Sequence, residues 1–164
     1  MLPQILKQRS SAFYFAAAIL LILNLLHPVA PADAASSDDG VVRVKSAYGF
    51  EETVARLRAD IEAKGIRYFD TIEQSRLAAA AGVKLNPTSL LVFGNPPLGT
   101  QFITANANAG LDWPVRLLVS QDGDGNVWAI YTDFHWIARR HAITDRAEQF
   151  DKATDVIGSI PASV

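Results

Sequence analysis

Gly94-Asn95-Pro96, with Thr100 and Gln101 a turn further on, is the group of residues in this chain best placed to do chemistry. An apolar run, Leu91-Val92-Phe93, stops against them, as it would where a strand ends and a helix begins. Backbone amides exposed at such a junction, together with the side chains of Asn95, Thr100 and Gln101, suit an anion or a small polar molecule. The competing reading is a turn alone, since Gly, Asn and Pro commonly serve turns and Thr100 would then cap the helix. Trp128 adds an aromatic wall to the candidate site, and Trp113, Tyr131, Phe134 and Trp136 cluster in the same half of the chain. Large aromatics of this kind line ligand pockets and partner surfaces, and they also form cores.

The remaining chemistry is weaker. His135, His141 and Asp133 are the types that hold a transition metal or serve a metal-assisted hydrolase, but two histidines six apart fall on different faces of a helix. They read as partly exposed, with Arg140 paired to an acid, and neither a metal nor a cofactor is expected. Asp122, Asp124, Asn126 and Asp133 imitate positions of a calcium loop, yet Val127 stands where that loop needs glycine, so the segment reads as a hairpin turn. Ser46, Ser75, Ser89 and Ser120 lack a Gly-x-Ser-x-Gly elbow. Glu51 and Glu52 lie where a helix begins and lack the apolar surroundings that raise a carboxyl pKa. No catalytic residue is assigned.

The elements that must position these residues follow from periodicity and breakers. Val42 and Val44 alternate with Arg43 and Lys45, a half-buried strand. Phe50, Val54, Leu57 and Ile61 make one stripe of a helix over 50–64, with Glu51 and Glu52 in its first turn and Gly65 to close it. A second strand is expected over 66–71. Thr71 and Gln74 have the spacing of a capping box for a short helix through Ala81. Thr88 to Phe93 is too apolar to alternate, which fits a central strand. A third helix is expected over 100–108. Val115, Leu117 and Val119, then Val127 to Tyr131, form a hairpin across Asp122-Gly123-Asp124-Gly125-Asn126. Helical segments follow near Trp136 to His141 and over 144–157. Strands and helices do not alternate strictly, so the expected class is α+β: two layers, a mainly antiparallel sheet of about five strands, and helices packed on one face. If Trp128 and Ile130 point away from the helices, the other face is left apolar and a homodimer would cover it.

Lys7 and Arg9 precede an uncharged apolar run from Ala12 to Leu26, broken by Pro28, and Ala32-Asp33-Ala34 offers a small-residue cleavage site. The run of 15 residues is shorter than the roughly 20 a membrane-crossing helix needs. Residues 1–34 thus read as a signal peptide, 35–40 as a flexible leader and 41–160 as one domain, exported to a periplasmic or extracellular location and meeting a membrane only during export. Losing Lys7, Arg9 and Asp33 turns 15 Lys and Arg against 17 Asp and Glu into 13 against 16, a net charge of −3. That balance leaves no footprint for nucleic acid. The absence of cysteine excludes disulfides, thiolate catalysis and iron–sulfur clusters.

Glu51-Glu52-Thr53-Val54, Asn86-Pro87-Thr88, Leu91 to Pro96, Gly99-Thr100, Leu111-Asp112-Trp113-Pro114, Asp122 to Trp128 and Arg140-His141 together resemble the DUF302 family in order and spacing, over about Val42 to Ile157. The resemblance implies a small α+β domain of the TBP-like fold group, with dimers plausible and the activity undefined. Many members carry Asp-His where this chain has Glu73-Gln74, and Leu-Met where it has Phe102-Ile103, so a metal or ligand site built on that His and Met would be missing here. The functional reading is a non-enzymatic module that binds a small polar or anionic ligand or a partner. An enzyme using Asp133, His135 and His141, and a purely structural homodimeric module, stand as alternatives.

Overall fold

The computed structural model describes residues 35–36 and 38–164; all of the proposed signal segment, with its cleavage site, lies outside them. Among the described residues six strands form one sheet: β1 (Ala35–Ser36), β2 (Val41–Lys45), β3 (Arg67–Ile72), β4 (Thr88–Gly94), β5 (Val115–Gln121) and β6 (Val127–Thr132). Their order is β1-β2-β6-β5-β4-β3, and every neighbouring pair is antiparallel. Five α-helices occur among the described residues: α1 (Phe50–Ala63), α2 (Gln74–Ala80), α3 (Pro96–Ala105), α4 (Phe134–Arg140) and α5 (Ala147–Ser159). The two-layer α+β class is the one expected. The proposed leader is not free throughout, because Ala35 and Ser36 pair with Arg43 and Val42 on β2; an edge strand has backbone groups to spare.

Alternation explains which layer each residue joins. Ser89, Leu91 and Phe93 of β4, Val115, Leu117 and Val119 of β5, and Val127 and Ala129 of β6 are buried toward the helices. β4 thus alternates in burial although its composition does not, because its other face is only half covered. Leu57 and Ile61 of α1 and Phe150 and Ile157 of α5 meet this layer in one core. Phe50 and Val54 pack at its margin. Thr53, outside the apolar stripe, is fully buried; its hydroxyl bonds Gly49 O at 2.9 Å and Ser46 Oγ at 2.7 Å. Stacked Phe102 and Phe150, 4.2 Å between centroids, tie α3 to α5.

Element boundaries correct the sequence reading in three places. Thr71 lies in β3, and Glu73 is the N-cap of α2 without a side-chain bond. α5 begins at Ala147, three residues beyond Thr144. α3 begins at Pro96 and not at Thr100. Proline fits the first helical turn, where an amide has no partner to lose and φ is already helical. Gly65, with φ +67°, follows α1 as expected.

On the face away from the helices, Ile72, Leu90, Leu118 and Ile130 stand in register across β3, β4, β5 and β6, with Arg43 of β2 next in the row. All of these are half-exposed or exposed.

Candidate functional site

The β4–α3 corner is built by Asn95. Its side-chain Oδ1 accepts from Leu98 N at 3.2 Å, and its carbonyl accepts from Leu98 N and Gly99 N at 3.1 and 2.9 Å. Pro96 and Pro97 have no amide. The first amides of α3 are therefore either absent or satisfied, and the helix start offers no free N–H cradle. Thr100 is exposed inside the helix, with its hydroxyl donating to Pro96 O at 2.7 Å. It is not a cap.

Behind this corner lies a cavity of about 400 Å³. Gly94, Asn95 and Gln101 line it, so three of the six residues expected at the site are together there. Pro96 and Thr100 are on the same turn but do not line it. Trp128 is elsewhere: it pairs with Lys45 and Ser120 on the open sheet face, and its indole N–H donates to Asp122 Oδ2 at 2.9 Å. That bond, with those from Asn126 and Asp124, holds the Asp122 carboxyl below its ordinary value against the opposing effect of desolvation. Asp122 also accepts the backbone N–H groups of Asp124 and Asn126 at 3.0 and 2.9 Å. The segment is a hairpin turn closed by its own carboxylate.

The opposite wall comes from α5, through Ala153, Val156 and Ile157, and the floor from Ile66 and Val115. Trp113 closes one side and Phe134 also lines the cavity; both belong to the aromatic cluster that the sequence offered as a pocket lining. The Trp113 indole rests on Gly94 and Gly99: a Cβ built on Gly99 would lie 1.9 Å from Trp113 Nε1, and one on Gly94 would lie 3.0 Å away. The signal for that contact was a glycine inside a helix, which costs roughly 1 kcal/mol against alanine and calls for a packing reason. Lys64, at the end of α1, and Lys152, on α5, also line the cavity, and no carboxylate does.

Trp113 is held by its neighbour. Asp112 is buried and accepts from Arg140 Nη1 at 3.1 Å on both oxygens and from Arg116 Nη2 at 3.2 Å. His141 Nε2 lies 2.6 Å from Asp112 Oδ2. The side chains of Asp112 and His141 are only 3% and 5% exposed, whereas those of Arg140 and Arg116 are about half exposed. Asn106 Nδ2 donates to His141 O at 2.8 Å, which fastens the end of α4 to the segment after α3. The sequence reading of His141 as partly exposed is corrected here; its partner sits 29 residues away in the chain. The pairing of Arg140 with an acid is as expected.

The other metal candidates do not meet His141. Asp133 caps α4 by accepting from Trp136 N at 2.6 Å. His135 is half-exposed beside Asp151, 3.6 Å away. Among the described residues no group of three or more His, Cys, Asp or Glu could hold a metal ion.

The domain of unknown function DUF302 matches residues 42–160. This chain belongs to the DUF302 family. A crystal structure of an uncharacterized conserved DUF302 protein from Bacillus stearothermophilus superposes with a TM-score of 0.69 at 16% identity, covering 76% of this chain and 98% of that one. That likeness extends to the fold. The chain is also similar to proteins named as fluoride-specific ion channels. FluC 1 of Brucella suis biovar 1 is 37% identical over 120 residues, which is 73% of this chain and 47% of that protein. FluC 2 of Brucella melitensis biotype 1 is 37% identical over the same length, 44% of that protein. The chain thus spans about half the length of these relatives. Among the described residues no helix is long and apolar enough to cross a membrane.

Proposed function

We propose that this DUF302 domain is an exported, non-enzymatic binding module that holds a small molecule in the cavity between the β4–α3 corner and α5. The cavity carries the reading: about 400 Å³ of concave space, apolar for the most part, with Asn95 and Gln101 among its lining residues. That is the size and character of a small-molecule site. The candidate enzyme residues disperse instead, with Asp133 spent as a cap, His135 at the surface and His141 in a buried hydrogen bond to Asp112 away from the cavity lining. The name of the Brucella relatives is not extended to this chain, since the match spans about half their length. Export is supported by the charge, apolar run and small-residue site within residues 1–34; a mature N-terminus at Ala35 in protein isolated from cells is the expected result.

A thermal-shift screen of apolar and amphipathic small molecules tests the binding reading. A ligand at 100 times its Kd raises the stability of the native state by about 2.7 kcal/mol. A response that disappears in Val156→Trp, which fills the cavity from α5, is expected. A flat response across the screen overturns the reading.

A second reading concerns the open sheet face, where Ile72, Leu90, Leu118 and Ile130 line up in register. We propose that a second copy of this chain covers it. A two-fold axis along the strands sets the β1–β2 side of one copy, with Arg43 and Lys45 on β2, over the β3 edge of the other, with Asp70. Opposite charges then flank an apolar centre on Leu118. Sedimentation at increasing concentration should give a dimer that Leu118→Lys dissociates.

A further inference from the structure

The cavity is apolar but its charges are all of one sign. Its body is made by aromatic and aliphatic walls, chiefly Phe102, Trp113, Phe134 and Val156. Two lysines, Lys64 and Lys152, are among its lining residues, and no acid is. The two lysines differ. Lys64 Nζ is 2.7 Å from both carboxylate oxygens of Asp60 and is spent on that pair. Lys152 is exposed and has no ion pair among the described residues. No arginine lines the cavity, so the bidentate fork that suits a phosphate dianion is missing.

Given the binding reading above, we propose that the ligand is a monocarboxylate with an aromatic or aliphatic body, its carboxylate set against Lys152 and its body against Trp113 and Phe102. The apolar portion supplies affinity by leaving water, at about 25 cal/mol per Å² of apolar surface. The single available ammonium fixes the orientation and rejects cations of the same shape. Gln101 contributes a neutral contact: one N–H of its Nε2 donates to Pro97 O at 3.2 Å, and the second is left for an acceptor of the ligand.

Three probes of one shape test this on the full chain by isothermal titration: 4-phenylbutyrate, 4-phenylbutanol and 4-phenylbutylamine. The acid is expected to bind at least tenfold more tightly than the alcohol, and the amine more weakly than either. Lys152→Met should remove the preference for the acid while leaving the alcohol unchanged, and circular dichroism should show the variant folded. Equal binding of acid and alcohol, or a preference for the acid that survives Lys152→Met, overturns the proposal. The uncharged dye N-phenyl-1-naphthylamine separates this failure from that of the cavity reading. If the dye binds, and Val156→Trp abolishes its binding, while phenylbutyrate does not bind, the carboxylate class is wrong and the cavity stands. If neither dye nor acid binds, both fall.

Discussion

Replacing Asp112 by alanine tests the claim that a buried charge cluster holds one wall of the cavity. Asp112 has three cationic or polar partners, and they are not equal. The two arginines are about half exposed, so screening limits each pair to under about 1 kcal/mol. His141 is 5% exposed and 2.6 Å from the carboxylate. Without Asp112 the imidazole Nε2 is left buried with no hydrogen-bond partner, which typically costs about 1–3 kcal/mol. With the two half-exposed arginine pairs lost as well, the upper end applies, and a loss of about 3 kcal/mol is expected. Urea denaturation followed by circular dichroism measures it. Asp112→Asn, which keeps an acceptor oxygen, should lose less, and in the double variant with His141→Ala the losses should fall short of additive by at least about 1 kcal/mol. A loss below about 1 kcal/mol for Asp112→Ala, or strict additivity with His141→Ala, would refute the reasoning.

Other consequences are open to measurement. Gly99→Ala should destabilise the fold despite a helix-propensity gain of about 1 kcal/mol, because the new methyl meets the Trp113 indole at 1.9 Å and overpacking of a tight contact costs about 1–3 kcal/mol or more; a stabilised variant with unchanged tryptophan emission would contradict the packing. For Asp122, the folded-state pKa lies below the unfolded one, so its contribution is complete above the unfolded carboxylate range and is lost as pH falls through the lowered folded value. The difference in melting temperature between the parent and Asp122→Asn should therefore shrink on acidification below that range, and a difference independent of pH would argue against the Trp128 and Asn126 bonds. Leu118→Lys should yield a monomer with the melting temperature of a monomeric parent, since Leu118 lies outside the core; a persistent dimer would remove the open sheet face as its interface.

Much of the frame was legible in sequence for physical reasons. The stripe of α1 and the closing Gly65, the hairpin with its Asp–Gly turn, and the corner at Gly94-Asn95-Pro96 all depend on residues close in the chain. The start of α3 was misplaced because Pro96 and Pro97 read as breakers when they are suited to a first turn. His141 was misjudged because its burial is created by Asp112, which no local pattern links to it. The cavity shows the same limit. Gly94, Asn95 and Gln101 were found from a local junction, whereas Trp113, Lys152 and Val156 come from separate stretches that meet only through the sheet and α5. Trp128 was drawn in by composition, and strand parity sends it to the other face, opposite Lys45 and Ser120.

The most direct test is methyl NMR of the full chain during titration with phenylbutyrate and with N-phenyl-1-naphthylamine. Ile66, Val115, Val156 and Ile157 line the cavity and Leu90, Leu118 and Ile130 lie on the open sheet face, so the two surfaces report separately. The account predicts saturable shifts of the first group with the second unmoved. Shifts confined to Leu90, Leu118 and Ile130, or no saturable shift in either group, would contradict it.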